Sequence, residues 1–458
     1  MLTSKITQPG TYWYHSHTES QYPDGLRGPL IIHDSKSPFK GKYDEELIMT
    51  ISDWYHDQMQ TLIPEFMRKG NPTGAEPVPQ AALMNETQDL RVPVQTGKTY
   101  FLRLANIGAF AGQYFWIEGH NMTIVEVDGA YTKPAQANMV YLSAGQRCSV
   151  LIATKDDASA NFPIVASMDT DLFDVLPDDL NWNVTGWLVY DEEKPLPKQS
   201  VVYDFDPYDD MDLVPYDEMV RLPEPSRSIE LDVIMDNLRD GANYAFFNNI
   251  TYRAPKVPTL YTALTSGKQA TNPQIYGTYT HSFVLQKDEI VQLVINNRDD
   301  GRHPFHLHGH HFQVLHRSDD DAGDFDGSVE FAETPMRRDT VVVNGNGNVV
   351  LRFMADNPDP LALQASLKLP QNHLDACKAG NIPTVGNAAG NTDLLDLSGE
   401  NVPPPRLPEG FTLKGILAFA FSTFMGIFGI YTVASYGMKK DKKTPETAPL
   451  LAEEEPQH

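Results

Sequence analysis

Cysteine is nearly absent, with two in 458 residues. That excludes a disulfide framework and a cysteine-built zinc site. Positive charge is scarce as well: 36 lysines and arginines face 61 aspartates and glutamates, for a net charge of -25. So acidic a surface repels phosphate backbones, which excludes nucleic acid as a natural partner and makes cations natural ones. Helical periodicity is also missing from most of the chain. In its place are short apolar runs such as Gly28–His33, Glu46–Ile51, Tyr100–Leu104, Met122–Val127, Ser149–Ile152, Ile290–Ile295 and Val349–Phe353. Gly, Pro and Asn punctuate them, and that spacing predicts an all-β protein of antiparallel sandwiches rather than βαβ units.

Long uncharged stretches are missing too, with one exception. Gly415–Met438 carries no charge over 24 residues. As a helix it would span roughly 36 Å, enough for a bilayer core of about 30 Å. Lys439, Lys440, Lys442 and Lys443 follow it, against Lys414 on the other flank. That bias predicts a single-pass span with its tail, 439–458, in the cytoplasm and its body outside. Four acceptor sequences for N-glycans, at Asn85, Asn121, Asn183 and Asn249, agree with that orientation. Met1–Lys5 leads into no apolar signal segment, so the expectation is that residues lie upstream of Met1.

Histidine carries the chemistry. Five of the 14 histidines fall within His303-Pro-Phe-His306-Leu-His308-Gly-His310-His311. Alternation predicts that His306, His308 and His310 share one face of an extended segment, where neutral imidazoles converge on a metal. Imidazole suits copper, zinc, iron or nickel, so spacing alone leaves the metal open. A second pair, His15 and His17 in Trp13-Tyr-His15-Ser-His17, also shares a strand face.

Gly10–His17 (GTYWYHSH) and His303–Phe312 (HPFHLHGHHF) resemble the second and third copper motifs of the multicopper oxidases. Phe115–Gly129, Asn243–Tyr252 and Pro335–Val343 extend the resemblance along nearly the whole chain. With the C-terminal span, the chain resembles the fungal plasma-membrane iron-transport ferroxidases of that family. The resemblance implies tandem cupredoxin-like Greek-key sandwiches and copper cofactors. It also implies Fe(II) and O2 as substrates, with Fe(III) passed to an iron permease in the membrane. His15, His17 and His308 would be type 3 copper ligands, His306 a type 2 ligand and His303 a type 1 ligand. Glu76, Asp174 and Asp299 match the acidic residues that dock iron beside the type 1 site. Hard carboxylate oxygens suit that cation. A laccase-like phenol oxidase and a truncated, non-catalytic membrane protein are the alternatives.

The resemblance has gaps. A first motif of HWHG type would lie before Met1, and HCHxxxH should follow Ala355–Pro358, where Asp359–Lys368 runs instead. That motif supplies the type 1 thiolate in the family, and neither Cys148 nor Cys377 has flanking histidines to replace it. His373 lies four residues from Cys377 but is a poor substitute. The chain as given is therefore expected to be inactive. The organisation expected is a remnant of a first cupredoxin domain (1–39), a whole second domain (40–197) and a third lacking its closing strands (198–375). A tail with a proline-rich spacer (376–414) then leads to the span (415–438). Asp191–Pro197 and Tyr203–Pro225 read as linkage.

Overall fold

The structure is a computed structural model that describes residues 8–357, 364–408, 410 and 412–440. Part of the expected fourth-motif stretch, 359–363, lies outside the described residues, as does 441–458 of the tail.

Alternating apolar residues build two facing sheets in the middle of the chain. One has six strands in the spatial order Ala81–Met84, Glu45–Trp54, Thr99–Asn106, Arg147–Ala153, Met122–Val127 and Ala130–Ala137. The other has five, in the order Val140–Leu142, Gln113–Ile117, Phe162–Met168, Asn183–Val189 and Arg91–Pro93. Between them lie Ile51, Leu104, Phe115, Val150, Ile164 and Ala166, all buried. Each large apolar side chain sealed there contributes about 1.5–3 kcal/mol relative to exposure.

The strands are not purely antiparallel. Glu45–Trp54 runs parallel to Thr99–Asn106, and Asn183–Val189 runs parallel to Arg91–Pro93. Long connections allow this, since a parallel pair needs a crossover that a hairpin cannot supply.

A second six-stranded sheet follows. Its order is Asn243–Phe247, Arg227–Asn237, Ile290–Asn297, Asn348–Met354, Phe312–Arg317 and Arg337–Arg338. Its companion among the described residues is a two-stranded sheet, His303–His306 with Thr340–Val343. A hairpin of Gly10–His15 and Arg27–Ile32 precedes all of these.

Buried charges join the pieces. Arg147, 2% exposed, donates twice to Asp339, at 2.8 and 2.6 Å, and its Nε donates to the Thr11 carbonyl at 3.0 Å. Arg338 donates to Asp128 at 2.7 Å and also pairs with Asp210. Arg103 reaches Thr11, Glu126 and Glu46. Guanidinium–carboxylate forks satisfy both partners away from water, which is the condition for burying charge at all.

The stretch expected as linkage is laid down on this joint. Lys133 donates to the Val214 carbonyl, Leu213 is buried, and Asp210 also takes Arg317 at 2.7 Å. The segment after 376 is packed as well: Lys256 donates to the Ala388 carbonyl and Arg239 to that of Pro405.

Residues from Arg406 onward form a separate unit. Its helix, Leu413–Lys440, includes Leu413–Met438, long and apolar enough to cross a membrane. No residue in its most apolar 18-residue window is buried inside the protein.

Candidate metal centre

His15 ends its strand and His17 lies two residues beyond it, while Trp13 stacks on the His15 ring at 4.0 Å. Glycine is required where this strand starts. Gly10 has φ +138°, and a Cβ there would lie 2.6 Å from the Gly129 Cα. Across the cavity, His306 ends its own strand opposite Thr340. The four rings form a chain: His15 to His17 at 4.7 Å, His17 to His308 at 5.1 Å and His308 to His306 at 5.0 Å. They line a cavity of about 440 Å³ together with Trp13 and Tyr22.

Hydrogen bonds choose the tautomers. His306 Nδ1 lies 2.9 Å from the Asp339 carbonyl and 3.0 Å from Thr340 Oγ1, and His15 Nδ1 lies 3.2 Å from the Ser16 carbonyl. A carbonyl only accepts, so both Nδ1 atoms carry the proton, and in the neutral ring the lone pair falls to Nε2. Burial, then the neighbouring imidazoles, hold His308 below an ordinary histidine. Burial also lowers His15, against the Ser16 carbonyl. His306 is the exception: burial pulls it down, but Asp339 outweighs that and raises it.

His310 leaves the expected face. The strand stops at His306, and Gly309 turns the chain at φ +74°. His310 therefore packs on Phe353, with Nε2 3.6 Å from Asp356, and lines other cavities. His311 donates to the Asp128 carbonyl at 2.7 Å.

Around His303 the three acids assemble. Asp299 accepts from His303 Nε2 at 2.8 Å, and that bond, first among its causes, holds its carboxyl below the usual range. Glu76 is raised, first by burial and then by the charges of Asp174 and Asp299, while His303 opposes them. Glu76 thus lies in the field of Asp174, Asp299 and His303, although they come from three distant stretches.

The Glu76 loop is held from the later sheet. Asn243 Nδ2 donates to the Thr73 carbonyl at 2.8 Å and Asn237 Nδ2 to that of Pro72 at 2.8 Å. Gly74, at φ +76°, sits so close that a Cβ would meet Asn243 Nδ2 at 2.6 Å.

Two tests of copper give different answers. The four imidazoles fit it by donor type and line one cavity. They are not yet closed into a cage: among the described residues no group of three or more His, Cys, Asp or Glu side chains is placed to hold an ion. The type 1 position does not fit. His303 has the acids around it and no thiol. Cys148 is sealed in the strand Arg147–Ala153, where burial pushes it well up, and Cys377 bonds Tyr261.

Sequence reasoning missed Asp339 and Thr340 as the groups that orient His306. The Arg337-Arg338-Asp339 run was a signal, since adjacent opposite charges inside an apolar strand region need partners.

Family profiles described as multicopper oxidase match residues 2–37, 45–193 and 252–376. The iron transport multicopper oxidase fetC of Epichloe festucae is 57% identical over 98% of this chain and 77% of its own length. That alignment runs over 479 positions but takes in only 98% of 458 residues, so the relative carries about 30 residues without a counterpart here. The iron transport multicopper oxidase FET3 of Gibberella zeae is 59% identical over 94% of this chain and 74% of its own, and that of Saccharomyces cerevisiae 49% over 94% and 73%. Among solved structures, the crystal structure of Fet3p, a multicopper oxidase that functions in iron import, aligns with a TM-score of 0.82. It is 46% identical, over 86% of this chain and 81% of that one. A laccase from Botrytis aclada, 24% identical with a TM-score of 0.63, shares the fold. The sheets described above are therefore cupredoxin-like sandwiches.

Proposed function

The chain belongs to the multicopper oxidases, and from that premise we propose that its gene specifies a membrane-anchored ferroxidase of iron uptake. The observation that supports this reading is the 2.8 Å bond from His303 to Asp299, beside a Glu76 that feels the charges of Asp174, Asp299 and His303. Three carboxylates dock Fe(II) and favour Fe(III), which lowers the potential the iron must overcome. The Asp299–His303 bond gives the electron a short path from docked iron to the imidazole. Copper would supply the oxidising chemistry that takes those electrons to O2 only in a chain that also carries the thiolate missing beside His303.

His15, His17, His306 and His308 are the residues that would hold copper at the oxygen end. Trp13 fixes the His15 ring by stacking, and Asp339 with Thr340 fixes His306. The Leu413–Met438 helix would anchor the protein, with the body outside, the tail in the cytoplasm and an iron permease as the receiver of Fe(III). The division into domains at 1–39, 40–197 and 198–375 belongs to the same reading.

A second reading is favoured by one observation, the lack of a thiol at His303. On it, this chain binds iron and some copper but does not turn over. Expression of the chain with copper present tests both. We expect no intense blue absorption and far fewer than four coppers per chain. A blue protein with a full copper complement would overturn the inactive state and leave the ferroxidase reading intact. Iron oxidation no faster than organic-substrate oxidation in that protein would overturn the ferroxidase reading.

A further inference from the structure

The His373/Cys377 pair, set aside in the sequence as no substitute for the missing motif, has a place of its own in the fold. Both residues sit on the helix Gln371–Ala379, four positions apart and so on one face, one turn from each other. A second helix, Thr259–Thr265, brings Tyr261 against them. The Tyr261 hydroxyl lies 2.5 Å from His373 Nε2 and 3.0 Å from Cys377 Sγ. Two distances to one oxygen bound the third: Nε2 and Sγ are at most 5.5 Å apart. A single ion with bonds of about 2.3 Å to sulfur and 2.0–2.1 Å to nitrogen spans about 4.4 Å at most, within reach of a side-chain rotation.

We propose that His373 and Cys377 form a binding site for a soft d10 cation, Cu(I) or Zn(II), with the Tyr261 hydroxyl orienting both ligands. A thiolate with an imidazole is the donor set that selects those ions over hard ones. Cys377 is 7% exposed and shares its buried cluster with Val257 and Tyr261, whereas His373 is exposed at the lip. The imidazole meets the ion first and the thiol then closes on it. Binding releases the thiol proton to solvent and changes no oxidation state. Two protein ligands leave positions open, so the site suits a metal that is held and passed on rather than a closed structural ion. It stands apart from the four-imidazole cavity, which none of its residues lines.

The test is metal titration of the full chain in detergent, reading thiolate-to-metal charge transfer with Cu(I), and with Co(II) as the spectroscopic stand-in for Zn(II). We expect one thiolate band per chain, unchanged in a His15→Ala/His308→Ala variant and lost in Cys377→Ser. His373→Ala should weaken binding, and Tyr261→Phe should weaken it about 10–100-fold, as for partners that orient a ligand. A band with Cu(I) alone assigns copper, and one with Co(II) alone assigns zinc. Alkylation of Cys377 mapped by mass spectrometry, with and without metal, reads the same site without a substitution. No thiolate band, a band that survives Cys377→Ser, unaltered affinity in His373→Ala, or alkylation indifferent to metal would each overturn the proposal.

Discussion

Arg147 and Asp339 offer the sharpest perturbation, because both are buried and each is the other's two-point partner. Replacing Asp339 by leucine strands a guanidinium that is 2% exposed, leaving Asp128 at 3.5 Å as its remaining ion partner. Replacing Arg147 by methionine leaves the Asp339 carboxylate with His306 and Thr340 alone. Breaking a buried pair from one side costs about 3–5 kcal/mol, whereas replacing both partners by apolar groups is close to neutral. At about 2–4 °C per kcal/mol for a domain of this size, each single variant should melt roughly 6–20 °C lower. The double variant should melt no lower than the worse single one. The assay is thermal unfolding of the full chain in detergent, as a double-mutant cycle. Additive losses, with the double variant falling by the sum of the singles, would refute the argument that stranded charge dominates.

Acid should weaken the same joint. Burial raises the Asp339 carboxyl, but His306 and Arg147 outweigh it and hold it far below the usual range. A depressed carboxylate contributes stability above its unfolded value of about 3.9, and that contribution is lost as pH falls through the folded value. The melting advantage of the natural chain over Asp339→Leu should therefore shrink below about pH 4 as Asp339 protonates, and its His306 share should fade as pH rises through the raised histidine's titration. In a chain completed with both an HWHG-type motif ahead of Met1 and HCHxxxH in place of the Asp359–Lys368 stretch, Glu76→Ala or Asp299→Ala should slow Fe(II) oxidation about tenfold or more, as expected for a lost charge-assisted contact. Oxidation of organic substrates should be spared, and equal losses on both substrates would assign these acids to folding instead.

The four histidines of the cavity were legible because two HxH pairs on strand ends announce themselves through the period of the strand. His310 followed the same pattern and broke it, since one glycine at positive φ reversed the chain after His308. Glu76, Asp174 and Asp299 are invisible as local patterns in so acidic a chain and entered only through resemblance. Asp339 was hidden for another reason. It meets His306 from 33 residues away, through a strand pairing that places Thr340 opposite that histidine. The parallel strand pairs were likewise beyond apolar periodicity, which reports faces and not directions. Tyr261 and Cys377 are 116 residues apart, and nothing in either neighbourhood names the other.

The arginine-and-carboxylate joint also sets limits on how the body can be taken apart. Apolar surfaces slide over one another at small cost, but a two-point guanidinium fork has a single seating. The N-terminal hairpin, the middle sandwich and the later sheet are thus keyed to one register. A middle sandwich excised on its own would carry Arg103 and Arg147 without the Thr11 and Asp339 atoms that complete them. Its boundaries in the sequence are sharper than its independence as a folded object.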